Sequence, residues 1–429
     1  VDAEFLWGAA VSSHQVEGGN DANDWWDWEK TPGHIADRTT SGRASGWWEG
    51  LAEADLDRAA DLGLTAIRTS LEWSRLEPEP GRFDRAAFDR YRAILGHAKA
   101  RGMSVLLTLN HFTLPRWVAK LGGWTHRNVP ALFEGFADRA VRELGEHVDL
   151  WATLNEPMVL AWMGYAGRRW PPGHGSLRAC FAALRGMLEA HALAYRAVHR
   201  LDDAARVGLV INLPYFAPAR GDHVLDRAVA AAQDWAFNGA MLHALRTGTL
   251  LPPLALRPTR LSSLPGTVDW LGLNYYGRYD VRFDPRAADK LFGRHVQEPT
   301  IRTEDNDWGQ PWPPGMTAQL LRLESFGVPL YVTENGICDD RDAQRPRYLM
   351  DHVSELERFV ASGHDVRGYF HWSLVDNFEW AEGWSARFGL FEVDPESLER
   401  RPRSSARVYG AIARARGVTP ELRSSDADS

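Results

Sequence analysis

Eight short apolar runs, separated by stretches with helical spacing, limit the fold of this chain more than any other feature. The runs are Phe5–Val11, Thr65–Ser70, Ser104–Asn110, Asp149–Asn155, Arg206–Leu213, Val268–Asn274, Val328–Glu334 and Val366–Ser373. Most are continuously apolar rather than alternating, the pattern of parallel strands covered on both faces. Between and after them, apolar residues recur three and four apart and predict helices. These are Glu49–Asp61, Phe88–Ala100, Leu132–Leu144, Leu177–Arg200, Val224–Arg246, Met316–Glu324, Arg347–Ala361 and Ser404–Arg416. The alternation predicts an α/β protein, a single (β/α)8 TIM barrel over residues 1–417, and a length of 429 residues suits such a barrel with long loops at the C-terminal face of its strands. Residues 418–429 read as a polar, frayed and flexible C-terminal tail. A doubly wound open sheet is the competing arrangement, but no Gly-rich phosphate loop opens a helix after the first strand. Trp162–Gly175 and Asp284–Gly315 are too long for plain connections and are expected to wall a cleft, whereas Gly19–Gly46 reads as a surface loop.

In such a barrel, side chains at the C-terminal strand ends converge. Arg68, Asn110, His111, Asn155, Glu156, Asn274, Tyr276, Glu334 and Trp372 lie at or near those ends. Two are glutamates at the tips of apolar strands, in Thr153-Leu154-Asn155-Glu156-Pro157 and Thr333-Glu334-Asn335-Gly336. One such acid alone reads as a helix cap or a solvated strand end. Two suggest paired-carboxylate chemistry. Arg68, inside a strand that otherwise reads as buried, is either a structural ion pair or a cation holding an active-site carboxylate. The 19 tryptophans, several in loops and near strand ends, offer flat faces for stacking on sugars, and the remainder fill the core.

The rest of the composition excludes more than it assigns. A formal charge of −8 gives no basic footprint for nucleic acid or an anionic membrane. Lysine is confined to Lys30, Lys99, Lys120 and Lys290, which reads as genomic composition bias. Cys180 and Cys338 form no CxxC, so neither a structural disulfide nor a metal site is expected, and a reducing, cytoplasmic setting fits. No apolar stretch approaches a membrane span and no secretory leader is recognisable. His14 and Glu17 invite a metal reading, but in extended chain that spacing puts them on opposite faces.

Taken together, Phe5-Leu6-Trp7-Gly8 with Ser13-His14-Gln15-Val16-Glu17-Gly18, Arg68-Thr69-Ser70-Leu71-Glu72-Trp73-Ser74-Arg75, Thr153-Leu154-Asn155-Glu156-Pro157, Gly272-Leu273-Asn274-Tyr275-Tyr276, Thr333-Glu334-Asn335-Gly336 and Asn377-Phe378-Glu379-Trp380 resemble glycoside hydrolase family 1, the β-glucosidase/β-galactosidase family. The resemblance runs in order from Phe5 to about Tyr409. It implies a retaining exo-β-glycosidase with no cofactor and no metal, acting on a small β-glycoside or short oligosaccharide. Terminal β-D-glucosyl residues are the expected substrate, with β-D-galactosyl or β-D-fucosyl residues tolerated. By the same resemblance Glu156 is the acid/base and Glu334 the nucleophile, supported by Arg68, Asn155, Asn274 and Tyr276. Gln15, His111 and Glu379 resemble the family's polar sugar contacts, and Trp124, Trp372, Trp380 and Phe388 its aromatic floor and walls.

Two further expectations come from the resemblance. Glu379 would repel a 6-phosphate, so the sugar is unphosphorylated. Glu156 stands where the plant thioglucosidases carry an amide, so an O-glycosidase is expected. His14 departs from the family's frequent aromatic residue, the chain is short for the family, and Arg302–Gly315 occupies the position of an aglycone-side loop. A transglycosylating member of the same family is the nearest variant. A catalytically silent sugar-binding barrel would have lost one of the two carboxylates, and a metal-dependent barrel hydrolase would need ligand spacing that His111, His371 and the glutamates do not show.

Overall fold

The computed structural model describes residues 4–296 and 308–427. Eight parallel strands close into a barrel: β1 (Leu6–Ala10), β2 (Ala66–Ser70), β3 (Ser104–Asn110), β4 (Leu150–Asn155), β5 (Val207–Asn212), β6 (Trp270–Asn274), β7 (Leu330–Asn335) and β8 (Val366–Trp372). Neighbours in the ring are neighbours in sequence, and β1 pairs with both β2 and β8 to complete it, with Ala9 opposite Ile67 on one side and His371 on the other.

The continuous apolar runs follow from this geometry. Along β3, Val105, Leu107 and Leu109 point outward into the shell shared with the helices, while Leu106 joins the group inside the barrel with Ala66, Leu150, Ala152, Val210, Trp270 and Phe370. Both faces are dry, so alternation has no reason to appear. Toward the C-terminal end the interior residues turn polar, as Thr108 and Asn110 do on β3, and both are buried. Two glycines permit close approach beside the future site. A Cβ on Gly272 would meet Thr333 Oγ1 at 2.6 Å, and one on Gly336 would meet the Trp372 carbonyl oxygen at 2.0 Å.

The helices form where the spacing predicts, with ends fixed by local chemistry. Asp84 and Ser176 accept backbone N–H groups from Ala87 and Ala179, and so start the helices Arg85–Ala100 and Leu177–Leu201. Several expectations need correcting. Val224–Arg246 is not one helix: Val224–Asp234 and Ala240–Thr247 flank a π turn, Trp235–Gly239, which directs Asn238 Nδ2 onto the Pro214 carbonyl at 2.9 Å. A single inserted residue barely disturbs apolar periodicity, so the pattern did not reveal it. A second π segment, Trp47–Leu51, precedes the helix Ala52–Asp61.

Gly19–Gly46 is a surface loop only in part, exposed over Lys30–Gly33. It contains the helix Asp24–Trp28, and Asn23, Trp25 and Ile35 are buried. Its polar composition reflects hydrogen bonds made inside the protein. Ser13–Val16 is a helical turn rather than extended chain. The supposed tail carries a helix, Pro420–Ala427, preceded by a Val418 N–H that donates to Glu357.

Of the two predicted cleft walls, Trp162–Gly175 opens as a π turn, Ala161–Ala166. The other contributes Gly293–Val296 to a small sheet with Arg278–Phe283 and Tyr215–Pro218. The part of the expected aglycone-side loop from Arg302 to Asp307 lies outside the described residues. Among the described residues no helix is long and apolar enough to cross a membrane.

Candidate active site

Glu334 and Glu156 end facing strands, but their backbones leave the barrel differently. Glu334 is still in β7, and the next residue locks the turn: Asn335 Nδ2 donates to the Tyr275 carbonyl at 2.6 Å and to the Tyr348 hydroxyl at 2.8 Å, while its Oδ1 accepts from Tyr369 at 2.8 Å. Glu156 lies just past β4 in the left-handed region, φ 46° and ψ 60°, immediately before Pro157 at the start of a short helix. A non-glycine residue there carries on the order of 1–3 kcal/mol of local strain. Its N–H remains tied to the Val210 carbonyl at 2.9 Å, so the strain is held by the barrel.

A chain of buried hydrogen bonds joins the two acids. Arg68, on β2, donates through Nη1 to Glu334 Oε1 and through Nη2 to Asn155 Oδ1 at 2.7 Å. Asn274, at the end of β6, donates to the same Asn155 Oδ1 at 3.1 Å and to Glu156 Oε1 at 2.6 Å. Thr333 Oγ1 donates to Asn274 Oδ1 at 2.7 Å, which fixes the orientation of that amide. The Tyr276 hydroxyl completes the set, donating to Glu334 Oε2 at 2.5 Å. Arg68 is therefore paired with the Glu334 carboxylate, and only 1% of it is exposed.

The environment separates the two acids. Burial first, and then the Glu334 charge, push the Glu156 carboxyl well above the usual carboxylate range, against the hydrogen bonds from Asn274 and Asn212 and the charge of Arg68. Asn212, at the tip of β5, was not singled out from the sequence, although its place at a strand end was the available signal. Burial and the Glu334 charge also raise the Tyr276 phenol well above its ordinary value, which keeps it a donor.

His111 follows from the Asn155 amide. Because Asn155 Oδ1 already accepts twice, its Nδ2 faces His111 Nε2 at 3.1 Å, and that nitrogen must accept. The imidazole proton then sits on Nδ1, which is buried with no partner among the described residues. Burial first, then Arg68, lower the His111 pKa far below its usual value, so the ring is neutral.

At the opposite rim, Gln15 Nε2 donates to Asn377 Oδ1 at 2.9 Å and to Glu379 Oε2 at 3.0 Å. Burial, followed by the charge of Glu334, pushes Glu379 up to about 8. Trp380, with a left-handed φ of 50°, stacks near-parallel to His111 and to His14, with centroids at 6.1 and 5.6 Å. It also meets Trp25, Phe112 and Trp170, three aromatic rings from other segments that the sequence did not assign to the site. Trp372 stacks on His111 at 6.0 Å. Phe388 stands edge-on to Tyr276 and to Trp308, beside a crevice bordered by Gly336, Ile337 and Cys338.

Trp124 is the predicted residue for which no contact with this group is seen. Its ring packs edge-on against Phe133, 5.6 Å away, and its indole N–H has no partner among the described residues.

Behind the rim lies a buried acidic group that the sequence did not anticipate. Glu72 accepts from Ser74 Oγ at 2.6 Å and from Thr113 Oγ1 at 2.9 Å, and burial with the nearby Glu17 charge raises its pKa to about 7. His14 and Glu17 belong to this surrounding network through Asn23 and Tyr91 respectively, and no group of three or more His, Cys, Asp or Glu able to hold a metal occurs among the described residues.

Comparison with known proteins agrees with this geometry. A β-galactosidase from Pyrococcus woesei is 31% identical over an alignment covering 98% of each chain. β-Glucosidase A from Thermotoga maritima is 30% identical, with 96% of this chain and 98% of the relative covered. Among solved structures, a β-glycosidase from Pyrococcus horikoshii superposes with a TM-score of 0.91 at 37% identity, covering 99% of this chain and 97% of that one. The family model for glycosyl hydrolase family 1 matches residues 1–418. A full-length match, carried on a (β/α)8 barrel with two carboxylates in one buried network, makes this chain a member of glycosyl hydrolase family 1, an O-glycoside hydrolase of the β-glycosidase kind.

Proposed function

We propose that the protein is a retaining exo-β-glycosidase that removes terminal β-D-glucosyl residues, and β-D-galactosyl or β-D-fucosyl residues, through a covalent glycosyl-enzyme. The observation carrying this reading is the unequal treatment of the two acids. Glu334 receives the Arg68 guanidinium and the Tyr276 hydroxyl, whereas Glu156 is pushed toward its protonated form by burial and by Glu334 itself. One carboxylate is thus prepared to attack and the other to donate a proton.

In the first step Glu334 bonds to the anomeric carbon while Glu156 protonates the leaving oxygen. Attachment of the sugar neutralises Glu334, which removes a main cause of the high Glu156 pKa. Glu156 then accepts a proton from the incoming water, which attacks the anomeric carbon and releases Glu334. Asn155, held by Arg68 and Asn274, meets the 2-hydroxyl, where hydrogen bonding strengthens in the transition state. Gln15, His111 and Glu379 read the remaining hydroxyls, and Trp372, Trp380 and Phe388 supply apolar faces. T. maritima β-glucosidase has been solved with deoxynojirimycin and with castanospermine, which supports a site of single-sugar size here.

The test is stereochemical. Proton NMR of early hydrolysis should show the β-anomer of the released sugar before mutarotation, and an α-anomer appearing first refutes the mechanism. Glu334→Ala should lose nearly all turnover of an aryl β-glucoside and recover it with added azide as the α-glycosyl azide. Wild-type kcat without azide would remove Glu334 from its role.

A further inference from the structure

A buried glutamine amide has two ends of almost equal shape but opposite hydrogen-bonding character. Which end faces the ligand decides whether a hydroxyl meets a donor or an acceptor. For Gln15 the choice is made by residues outside the sugar contacts. The Asn377 side chain donates through Nδ2 to the Val375 carbonyl at 3.1 Å and to Ser373 Oγ at 3.2 Å. A carbonyl oxygen only accepts, so the Asn377 amide cannot be reversed, and its Oδ1 must face Gln15. Gln15 answers with Nε2 at 2.9 Å. At the other end Ser12 Oγ donates to Gln15 Oε1 at 2.6 Å.

Both anchors are rigid. Ser12 is fully buried just past β1, and Asn377 follows Asp376, which takes both Nη atoms of Arg403 at 2.8 and 2.7 Å. With the amide so fixed, the second hydrogen of Gln15 Nε2 is directed at Glu379 Oε2. A sugar hydroxyl seated between Gln15 and Glu379 would take over the hydrogen now held by that carboxyl, and a reversed amide would meet it with an acceptor instead of a donor.

We infer that Asn377 and Ser12 are positioning residues that set the polarity of the Gln15 amide toward the sugar. The inference rests on the proposed reading of Gln15 and Glu379 as sugar contacts, and it assigns recognition of the hydroxyls these two share to a lock spanning β1 and β8. The experiment compares Asn377→Leu, Ser12→Ala, Ser12→Thr and Gln15→Ala on 4-nitrophenyl β-glucoside and on its 3-deoxy and 4-deoxy analogues. Melting temperature serves as a check on folding.

Asn377→Leu and Ser12→Ala should each lower kcat/KM on the full sugar by about tenfold, mainly through KM. The loss should shrink to about twofold or less on the deoxy analogue lacking the Gln15 partner, and also in a Gln15→Ala background. Ser12→Thr, which keeps the hydroxyl, should restore the wild-type ratio between full and deoxy sugars. Equal losses on all three substrates would show a merely structural role and overturn the inference. If Gln15→Ala itself fails to distinguish the full sugar from both deoxy analogues, the sugar-contact reading fails and takes the inference with it. If Gln15→Ala distinguishes them and the other two variants do not, the inference alone fails.

Discussion

Replacing Asn274 by leucine keeps the branched shape of the side chain and removes both of its donors. The bond at stake runs 2.6 Å from Asn274 Nδ2 to Glu156 Oε1 and favours the ionised acid. A hydrogen bond to a charged group is worth about 1.5–3 kcal/mol and one to a neutral group about 0.5–1.5 kcal/mol, a difference on the order of 1–1.5 kcal/mol. At about 1.4 kcal/mol per pH unit, its loss raises the Glu156 titration by about one unit. On the proposed mechanism Glu156 works protonated in the first step, so the descending alkaline limb of kcat/KM should move up by about one pH unit in Asn274→Leu. In the second step Glu156 works ionised, so the ascending limb of kcat should move up as well for an activated aryl glucoside limited by breakdown of the glycosyl-enzyme. Both limbs are read from rates of aryl β-glucoside hydrolysis between pH 5 and pH 10. An alkaline limb that stays in place or moves down refutes the argument, as does one that moves in Glu379→Gln but not in Asn274→Leu.

Glu156→Ala should slow substrates with poor leaving groups by about 100-fold or more while sparing activated aryl glycosides, and equal loss across a leaving-group series would contradict an acid role. Above the Glu379 titration at about pH 8, where that acid is ionised, the wild type should favour an unphosphorylated glucoside over its 6-phosphate, and Glu379→Gln should narrow that preference there by about tenfold through loss of like-charge repulsion; an unchanged ratio would release Glu379 from this role. Glu72 holds its proton to about pH 7 when folded against 4.5 ordinarily. Its contribution to stability is therefore complete below pH 4.5 and lost as pH rises to about 7, at about 1.4 kcal/mol per pH unit per proton. Urea unfolding across that window should show a slope reduced by about one proton in Glu72→Gln, and identical slopes would show that Glu72 does not titrate as argued.

The barrel was legible because its strands are apolar on both sides, a property written into every residue of a run such as Val105 to Leu109. Where an element depends on one backbone choice, the sequence was silent. Neither the π turn at Trp235–Gly239 nor the left-handed Glu156 alters the apolar spacing around it. Gly19–Gly46 misled for a different reason. Polar side chains such as Asn23 and Asp24 are ordinarily solvated, and here their partners are His14 and the Leu114 N–H, from other segments. Strand ends pointed to the residues around Glu334 and Glu156, but not to the bonds that orient them. Gln15 meets Asn377 across 362 positions of sequence, and no local pattern encodes that.

That separation also sets an order of events. Gln15 leaves the ribosome soon after β1, and Glu379, its partner across 364 positions, soon after β8. At about 5–20 residues per second, synthesis holds them apart for about 20–70 s. During that time β1 has β2 for a neighbour but not β8, and its other edge stays open. The nascent protein therefore has an exposed strand edge and half a sugar site for most of its synthesis, and both are completed by one late event. Tyr409 seals the finished seam from outside, its hydroxyl bonding to the Gly8 carbonyl at 2.6 Å and the Tyr369 carbonyl at 3.2 Å. First turnover then marks the moment of closure, and a nascent chain stalled before β8 emerges, although it already carries Glu156 and Glu334, should have none.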